Sequence, residues 1–127
     1  MIKFRAWDNL LNKMLVVYRI SFDGPVDGVQ VHCYLDDRGA EGSTEYAYDG
    51  DGLILEQFTG LKDVNDKEIY IGDIVKYRNL EEKYQYLKIR WLQQDCMVDA
   101  GGYRIDIVVR RCEVIGNVHE NAELLEE

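Results

Sequence analysis

The chain has 127 residues, of which 46% are hydrophobic and 31% are charged, and its formal net charge at pH 7 is −9. This composition is not that of a disordered chain, and the length predicts one domain over residues 1–127, or two small lobes that share a core. An acidic protein repels phosphate at long range, so we expect no direct nucleic-acid partner.

The first half of the chain has the alternating pattern of half-buried strands. Apolar Ile2, Phe4 and Ala6 alternate with the charged residues between them, which is typical of a strand with one buried face. The next strand is apolar at nearly every position, which predicts burial on both faces or a central place in the sheet. The strands predicted in this half lie at residues 2–6, 14–20, 29–35, 44–48 and 53–58.

Residues 57–77 are the stretch around which the rest of the predicted fold is arranged, because they combine two turns with two strands. Gly60 is expected where the chain needs a positive φ or a close backbone approach. Residues 63–66 carry Asp and Asn side chains that favour a turn. Residues 68–71 predict a short strand, Gly72 and Asp73 break it, and the chain resumes as a strand at 74–77.

The last third of the chain predicts four more strands and a short helix. In the strand at residues 84–91, alternation predicts that Leu87, Ile89 and Trp91 face the core. Asn121 is a suitable N-cap for a short helix that begins at Ala122. The other three strands are expected at residues 96–98, 103–109 and 112–118.

Short strands punctuated by turns every 8 to 12 residues predict the fold class. We expect an all-β protein, either a β-barrel or a strongly bent sandwich of short antiparallel strands, with a short C-terminal helix.

Five short motifs lie in order along the chain, spread over nearly its whole length. They are I-K-F-R-A-W-D at residues 2–8 with Met14 after a short gap, T-G-L-K-D at 59–63, K-E-I-Y at 67–70, G-D-I-V at 72–75, and E-V-I-G-N-V with the following E-N at 113–121. Together they resemble the signature of the YopX-like family of phage and prophage proteins. The resemblance implies a mainly β fold, a phage or prophage origin and no settled biochemical activity, and it supplies no functional residues.

Two positions depart from the family pattern. Members usually have Gly where this chain has Asp66, and Asp at a positive φ costs more than Gly, so the turn is expected to differ in type or to be slightly strained. Members usually have Pro where this chain has Ala122. Alanine is tolerated at the first helical position, so the short helix is still expected.

No catalytic, cofactor-binding or metal site is predicted. His32 and Cys33 are neighbours on a strand and point to opposite faces, so they cannot act as base and nucleophile, and Cys33 is expected in the core. His119 and Cys112 have no second ligand pair at metal-binding spacing. The Asp49–Gly52 stretch lacks the later oxygen ligands of a calcium loop, which favours a hairpin turn.

A basic aromatic face is the remaining candidate for a binding site. Lys and Arg side chains alternate with tyrosines on two predicted strands, a pattern that can bind single-stranded nucleic acid. The favoured interpretation is an ordinary strand pair with a solvated outer side. The residues concerned are Lys76, Tyr77, Arg78, Tyr84, Tyr86, Lys88 and Arg90.

These patterns favour a non-enzymatic protein-binding or assembly module that buries an aromatic-rich patch against a protein partner or in a homo-oligomer. An odd number of cysteines and an N-terminus without an apolar run predict the cytoplasm of a bacterial host cell, with no membrane contact. Two alternatives stay open. Residues 21–66 carry eleven acidic and two basic side chains, which suits a DNA mimic that inhibits a host DNA-binding enzyme. The other alternative is a hydrolase.

Overall fold

The computed structural model describes residues 2–22, 30–35, 43–47 and 53–126, and for 43–47 it describes the backbone. The chain groups into two compact units, which meet in the sequence between Gln57 and Phe58. The all-β class with a short C-terminal helix is confirmed. Whether the chain is one domain or two lobes with a common core stays a prediction.

The N-terminal unit is an antiparallel sheet. Its strands are β1 (Phe4–Asp8), β2 (Lys13–Ser21), β3 (Gln30–Tyr34), β4 (Ser43–Ala47) and the first half of β5 (Leu53–Lys62). They lie in the order β4-β3-β2-β1-β5. Apolar residues of these strands, among them Leu15, Val31 and Cys33, form a buried cluster. The predicted strands are therefore present, and β4 lies at the sheet edge as expected.

The strand β2 takes the central place that its apolar run predicted, but it is not buried on both faces. Leu15 is buried, whereas Val16 and Tyr18 are exposed. Tyr18 instead stacks on Tyr34 of the neighbouring strand, with ring centroids 4.2 Å apart. Aromatic side chains on the exposed face of a sheet thus cover one another.

The C-terminal unit contains a second antiparallel sheet. Its elements are β6 (Glu68–Tyr70), β7 (Asp73–Arg78), β8 (Tyr84–Leu92), β9 (Met97–Ala100), β10 (Tyr103–Arg104), α1 (Ile105–Val108), a 3₁₀ helix (Val109–Arg111), β11 (Cys112–Asn117) and a final 3₁₀ helix (Ala122–Leu125). The strands of the second sheet lie in the order β10-β9-β8-β7-β11, and β6 pairs with the second half of β5. Within the described residues the sheets are open and do not close into a barrel, which corrects one of the two expected architectures.

The strand predicted at residues 103–109 is wrong after its second residue. The chain turns into α1 at Ile105, and Val108 is buried in the apolar cluster of this unit, with Ile105 and Val109 packed against it. These three apolar residues have the i, i+3, i+4 spacing of one helical face, which outweighs the strand preference of β-branched residues.

Two further details differ from expectation. Trp91 is 51% exposed, whereas Leu87 and Ile89 are buried as predicted. Trp91 lies next to the last residue of β8, and alternation sets its face of the sheet but not its depth of burial. Asn121 precedes the final helix but makes no side-chain cap, because its Oδ1 accepts the N–H of Asn117 at 3.2 Å.

None of the helices in the described part of the chain is long and apolar enough to cross a membrane.

Candidate functional site

The tight turn at Asp63–Lys67 positions one side of the candidate site. Asp63 Oδ1 accepts the N–H groups of Asn65 and Lys67 at 2.8 and 2.9 Å, and Oδ2 accepts that of Val114 at 2.8 Å. The Val64 N–H donates to the Cys112 carbonyl at 3.1 Å. The turn is thereby attached to β11. Gly60 has φ +86°, so its expected positive φ is confirmed, and Asp66 has φ +67°.

The predicted basic aromatic face is present in part. Cross-strand pairing sets Lys76 opposite Tyr86 and Arg78 opposite Tyr84, so these four residues share one face of the β7–β8 pair. Lys88 follows on the same face of β8 by alternation and is exposed. Two predicted members do not contribute. Tyr77 is buried, and Arg90 is engaged by Asp99.

A hollow of about 350 Å³ opens beside this face, and we call it the basic hollow. It combines the cations of β7 with two arginines that precede β11 and with the exposed Val64 of the tight turn. The Lys76 ammonium lies 4.4 Å from the centroid of the Tyr84 ring, a cation–π contact. The lining residues of the basic hollow are Val64, Lys76, Arg78, Tyr84, Arg110, Arg111, Cys112 and Glu113.

The positive charges of the basic hollow are only partly neutralised. Arg78 and Arg111 both bind the carboxylate of Glu82, the latter with an N–O distance of 3.4 Å. Lys76 and Arg110 pair with no carboxylate among the described residues. Glu113, the one acidic lining residue, instead accepts a hydrogen bond of 3.4 Å from the Asn65 amide. The hollow is therefore electropositive in a strongly acidic protein.

A second hollow in the C-terminal unit has a volume of about 460 Å³. Three exposed apolar side chains border it together with the polar Asn79 and Glu81, and we call these three the apolar patch: Leu80 (82% exposed), Tyr103 (40%) and Ile107 (47%). The Tyr103 hydroxyl donates to Gln85 Oε1 at 3.0 Å, and the centroids of the Tyr103 and buried Tyr77 rings are 5.5 Å apart. Tyr103 is thus held in place by Gln85 and Tyr77.

The candidate nucleophiles are placed where they are chemically quiet. Burial and the negative charge of Asp8 raise the pKa of Cys33 to about 11. Burial, with Asp63 and Glu113, raises the pKa of Cys112 to about 12. His32 is buried, and its Nε2 lies 3.3 Å from Ser21 Oγ. The expected core position of Cys33 is confirmed.

The pKa of one carboxyl group, that of Asp99, is shifted by an ion pair with Arg90. Arg90 donates two hydrogen bonds of 2.8 Å to Asp99, and the Gly102 N–H donates a third of 3.2 Å. The Arg90 hydrogen bonds hold the pKa of Asp99 below its usual value even though Asp99 is buried. A carboxyl group held ionised in this way braces the β8–β9 hairpin.

Other sequence-predicted features lie partly or wholly outside the described residues. The Asp49–Gly52 turn is among them, and so are seven of the eleven acidic residues in the stretch at residues 21–66. No group of three or more His, Cys, Asp or Glu residues suited to a metal ion occurs in the described ranges.

Both hollows contain residues for which the sequence predicts no role. Arg110 and Arg111 lie between the strands predicted at residues 103–109 and 112–118, and two adjacent arginines before a strand are a visible signal of a basic site. Leu80 is the single apolar residue in the charged connection between β7 and β8, and an isolated leucine at a hairpin tip is a signal of a docking contact.

A family model and solved structures match the chain. The family model described as YopX protein matches residues 3–126. The crystal structure of protein EF1440 from Enterococcus faecalis is 27% identical, covers 99% of each chain and has a TM-score of 0.66. The crystal structure of protein yopX from Bacillus subtilis is 20% identical, covers 97% of each chain and has a TM-score of 0.58. No curated protein matches the sequence.

Proposed function

The chain belongs to the YopX protein family, and we propose that it is a non-enzymatic protein-binding module of phage or prophage origin. It would act in the cytoplasm of a bacterial host cell. Its C-terminal unit would dock a protein partner through the apolar patch.

The observation that carries this proposal is the exposure of Leu80, Tyr103 and Ile107 around one hollow. Single exposed apolar residues are ordinary on a protein surface, but a contiguous group around a concavity is typical of a docking site. Tyrosine is also enriched among the residues that dominate binding energy at interfaces. The contacts of Tyr103 with Gln85 and Tyr77 fix its ring before binding, which lowers the entropy that association costs.

The perturbed groups support binding over catalysis. A general acid or base works best with a pKa near the operating pH, and a thiol nucleophile needs a lowered pKa. The shifts of Cys33, Cys112 and Asp99 run in the opposite directions. The titratable groups that the fold perturbs most in its described part are therefore suited to structural roles.

Affinity capture with matched variants tests the proposal. The tagged wild-type protein is compared with the double variant Leu80→Asp and Ile107→Asp, and with the control Leu10→Asp. Leu10 is as exposed as Leu80 but belongs to the N-terminal unit. We expect one co-purifying protein that is lost with the double variant and retained with the control. Equal capture by all three proteins contradicts the proposal.

The partner can also be a second copy of the chain. Sedimentation velocity over a wide concentration range distinguishes this case, because a homo-oligomer dissociates on dilution and the double variant would sediment as a monomer. If the wild-type protein is monomeric at every concentration, the proposed partner is a different protein.

A further inference from the structure

The basic hollow gathers four cations at one place in a chain whose net charge is −9. Neither Lys76 nor Arg110 forms an ion pair with a carboxylate among the described residues, although Lys76 lies opposite Glu113 in the β7–β11 pairing and its ammonium contacts the Tyr84 ring. Converging like charges repel one another, and a bound anion relieves that repulsion. The hollow thus has the electrostatics of an anion site.

Arg78 and Arg111 are already arranged to share one anionic group. Both guanidinium groups bind the Glu82 carboxylate, although Arg78 belongs to β7 and Arg111 to the 3₁₀ helix before β11. The Glu82 side chain is exposed, and exposed ion pairs contribute little stability. An incoming phosphate can therefore compete for these guanidinium groups at low cost, and the planar guanidinium matches phosphate oxygens in two-bond geometry.

The walls of the hollow are apolar on two sides. The Tyr84 ring is 60% exposed, and Val64 is exposed as well. The Lys76 ammonium lies against one face of the Tyr84 ring, and the remaining aromatic surface is suited to stacking with a flat ring. The volume of about 350 Å³ is within the range of small-molecule pockets and larger than a lone phosphate needs.

We propose that the basic hollow binds a nucleoside phosphate, with the phosphate held by Lys76, Arg110 and Arg111 and the base packed on Tyr84. The residues of this site are not those of the apolar patch, and the proposal does not depend on the proposed docking function.

Isothermal titration calorimetry at low ionic strength tests the site with adenosine 5′-monophosphate, adenosine and inorganic phosphate as probes. The proteins compared are the wild type, the double variant Lys76→Gln and Arg110→Gln, and the control Arg104→Gln. Arg104 is an exposed arginine of the same unit that pairs with Asp106 and does not line the hollow. We expect adenosine 5′-monophosphate to bind the wild type and the control equally and the double variant at least tenfold more weakly.

Adenosine and inorganic phosphate should each bind at least tenfold more weakly than the nucleotide, and added salt should weaken nucleotide binding. Absence of nucleotide binding overturns the proposal, as does an equal loss in the control. Equal affinity for inorganic phosphate overturns the assignment of Tyr84 to the base. If the double variant does not fold, a ¹⁵N NMR titration of the wild type with adenosine 5′-monophosphate replaces it. The chemical-shift changes must then centre on Lys76, Tyr84, Arg110 and Arg111, and changes centred elsewhere overturn the proposal.

Discussion

The carboxylate of Asp63 accepts the backbone N–H of Val114 at 2.8 Å, a contact between residues 51 apart in the sequence. The same carboxylate closes its own turn by accepting the N–H groups of Asn65 and Lys67. One buried side chain therefore both shapes the turn and ties it to β11. This gives a physical reason for the aspartate that ends the T-G-L-K-D motif.

Replacing Asp63 with Asn should destabilise the protein. An amide retains one acceptor oxygen, so at least one of the three N–H groups would face an NH₂ group, which costs about 1–3 kcal/mol. Urea unfolding followed by tryptophan fluorescence measures the change in the free energy of unfolding. The control is Asp66→Asn, since the Asp66 side chain is 84% exposed and Asn tolerates its positive φ. Equal effects of the two substitutions would contradict the anchoring role of Asp63.

Gly116 should be intolerant of a methyl group as long as Asn121 is present. A Cβ at Gly116 would lie 2.3 Å from Asn121 Oδ1 and 2.9 Å from Asn121 Cβ, so the segment after β11 must move. We expect Gly116→Ala to cost about 1–3 kcal/mol, the usual range for overpacking.

A double-mutant cycle with Asn121→Ala checks the cause of that cost. The alanine removes the clashing amide, so the two substitutions together should cost less than the sum of their separate effects. Additive effects within about 0.5 kcal/mol would show that the Gly116 methyl group meets a different obstacle.

Asp99 should contribute stability only where it is ionised. Because its pKa is lowered in the folded state, its contribution is complete above the unfolded pKa of about 3.9 and is lost as the pH falls through the folded value. Asp99→Asn should cost about 1.5–3 kcal/mol at neutral pH, since it weakens hydrogen bonds to a charged partner.

Urea unfolding of the wild type and Asp99→Asn between pH 7 and pH 3 provides the measurement. The stability difference should be constant down to about pH 4 and then narrow. Asp106→Asn is the control, because its ion pair with Arg104 is exposed on both sides and contributes little. A difference that stays the same at pH 3 would contradict the linkage.

The three thiols should differ sharply in reactivity. Burial raises the pKa values of Cys33 and Cys112 to about 11 and about 12, whereas Cys96 is exposed. Since the thiolate is the reactive form, iodoacetamide at pH 8 should modify Cys96 alone in the folded protein and all three thiols in urea. Peptide mass spectrometry identifies the sites. Rapid labelling of Cys33 before unfolding would show that the N-terminal cluster is open to solvent.

Local patterns were sufficient for most of the strands but not for the ends of the sheets. Alternation placed Leu87 and Ile89 in the core correctly and failed for Trp91, because periodicity defines a face of the strand and not the depth of burial at each position along it. The run after Arg104 illustrates the same limit. Its β-branched residues favour a strand locally, and only packing of Ile105, Val108 and Val109 on the cluster makes one helical turn the better solution.

The candidate sites depend on contacts that a linear sequence does not display. The tyrosine and lysine pattern of β7 and β8 predicted a basic face, but the two arginines before β11 join it only through the pairing of β11 with β7. Likewise Leu80, Tyr103 and Ile107 are separated by up to 27 residues and meet around one hollow. The sequence shows which residue types are present, whereas the sheet order is needed to show that the residues of each hollow lie close together.

Site-specific photo-crosslinking tests the docking proposal most directly. A benzophenone amino acid is placed at Leu80 and, in a separate protein, at Leu10, and cells that naturally express the protein are irradiated. We predict a single discrete adduct from position 80 that disappears when Ile107→Asp is added, and no such adduct from position 10. The same adducts from both positions, or none from position 80, would contradict the assignment of the apolar patch as the docking surface.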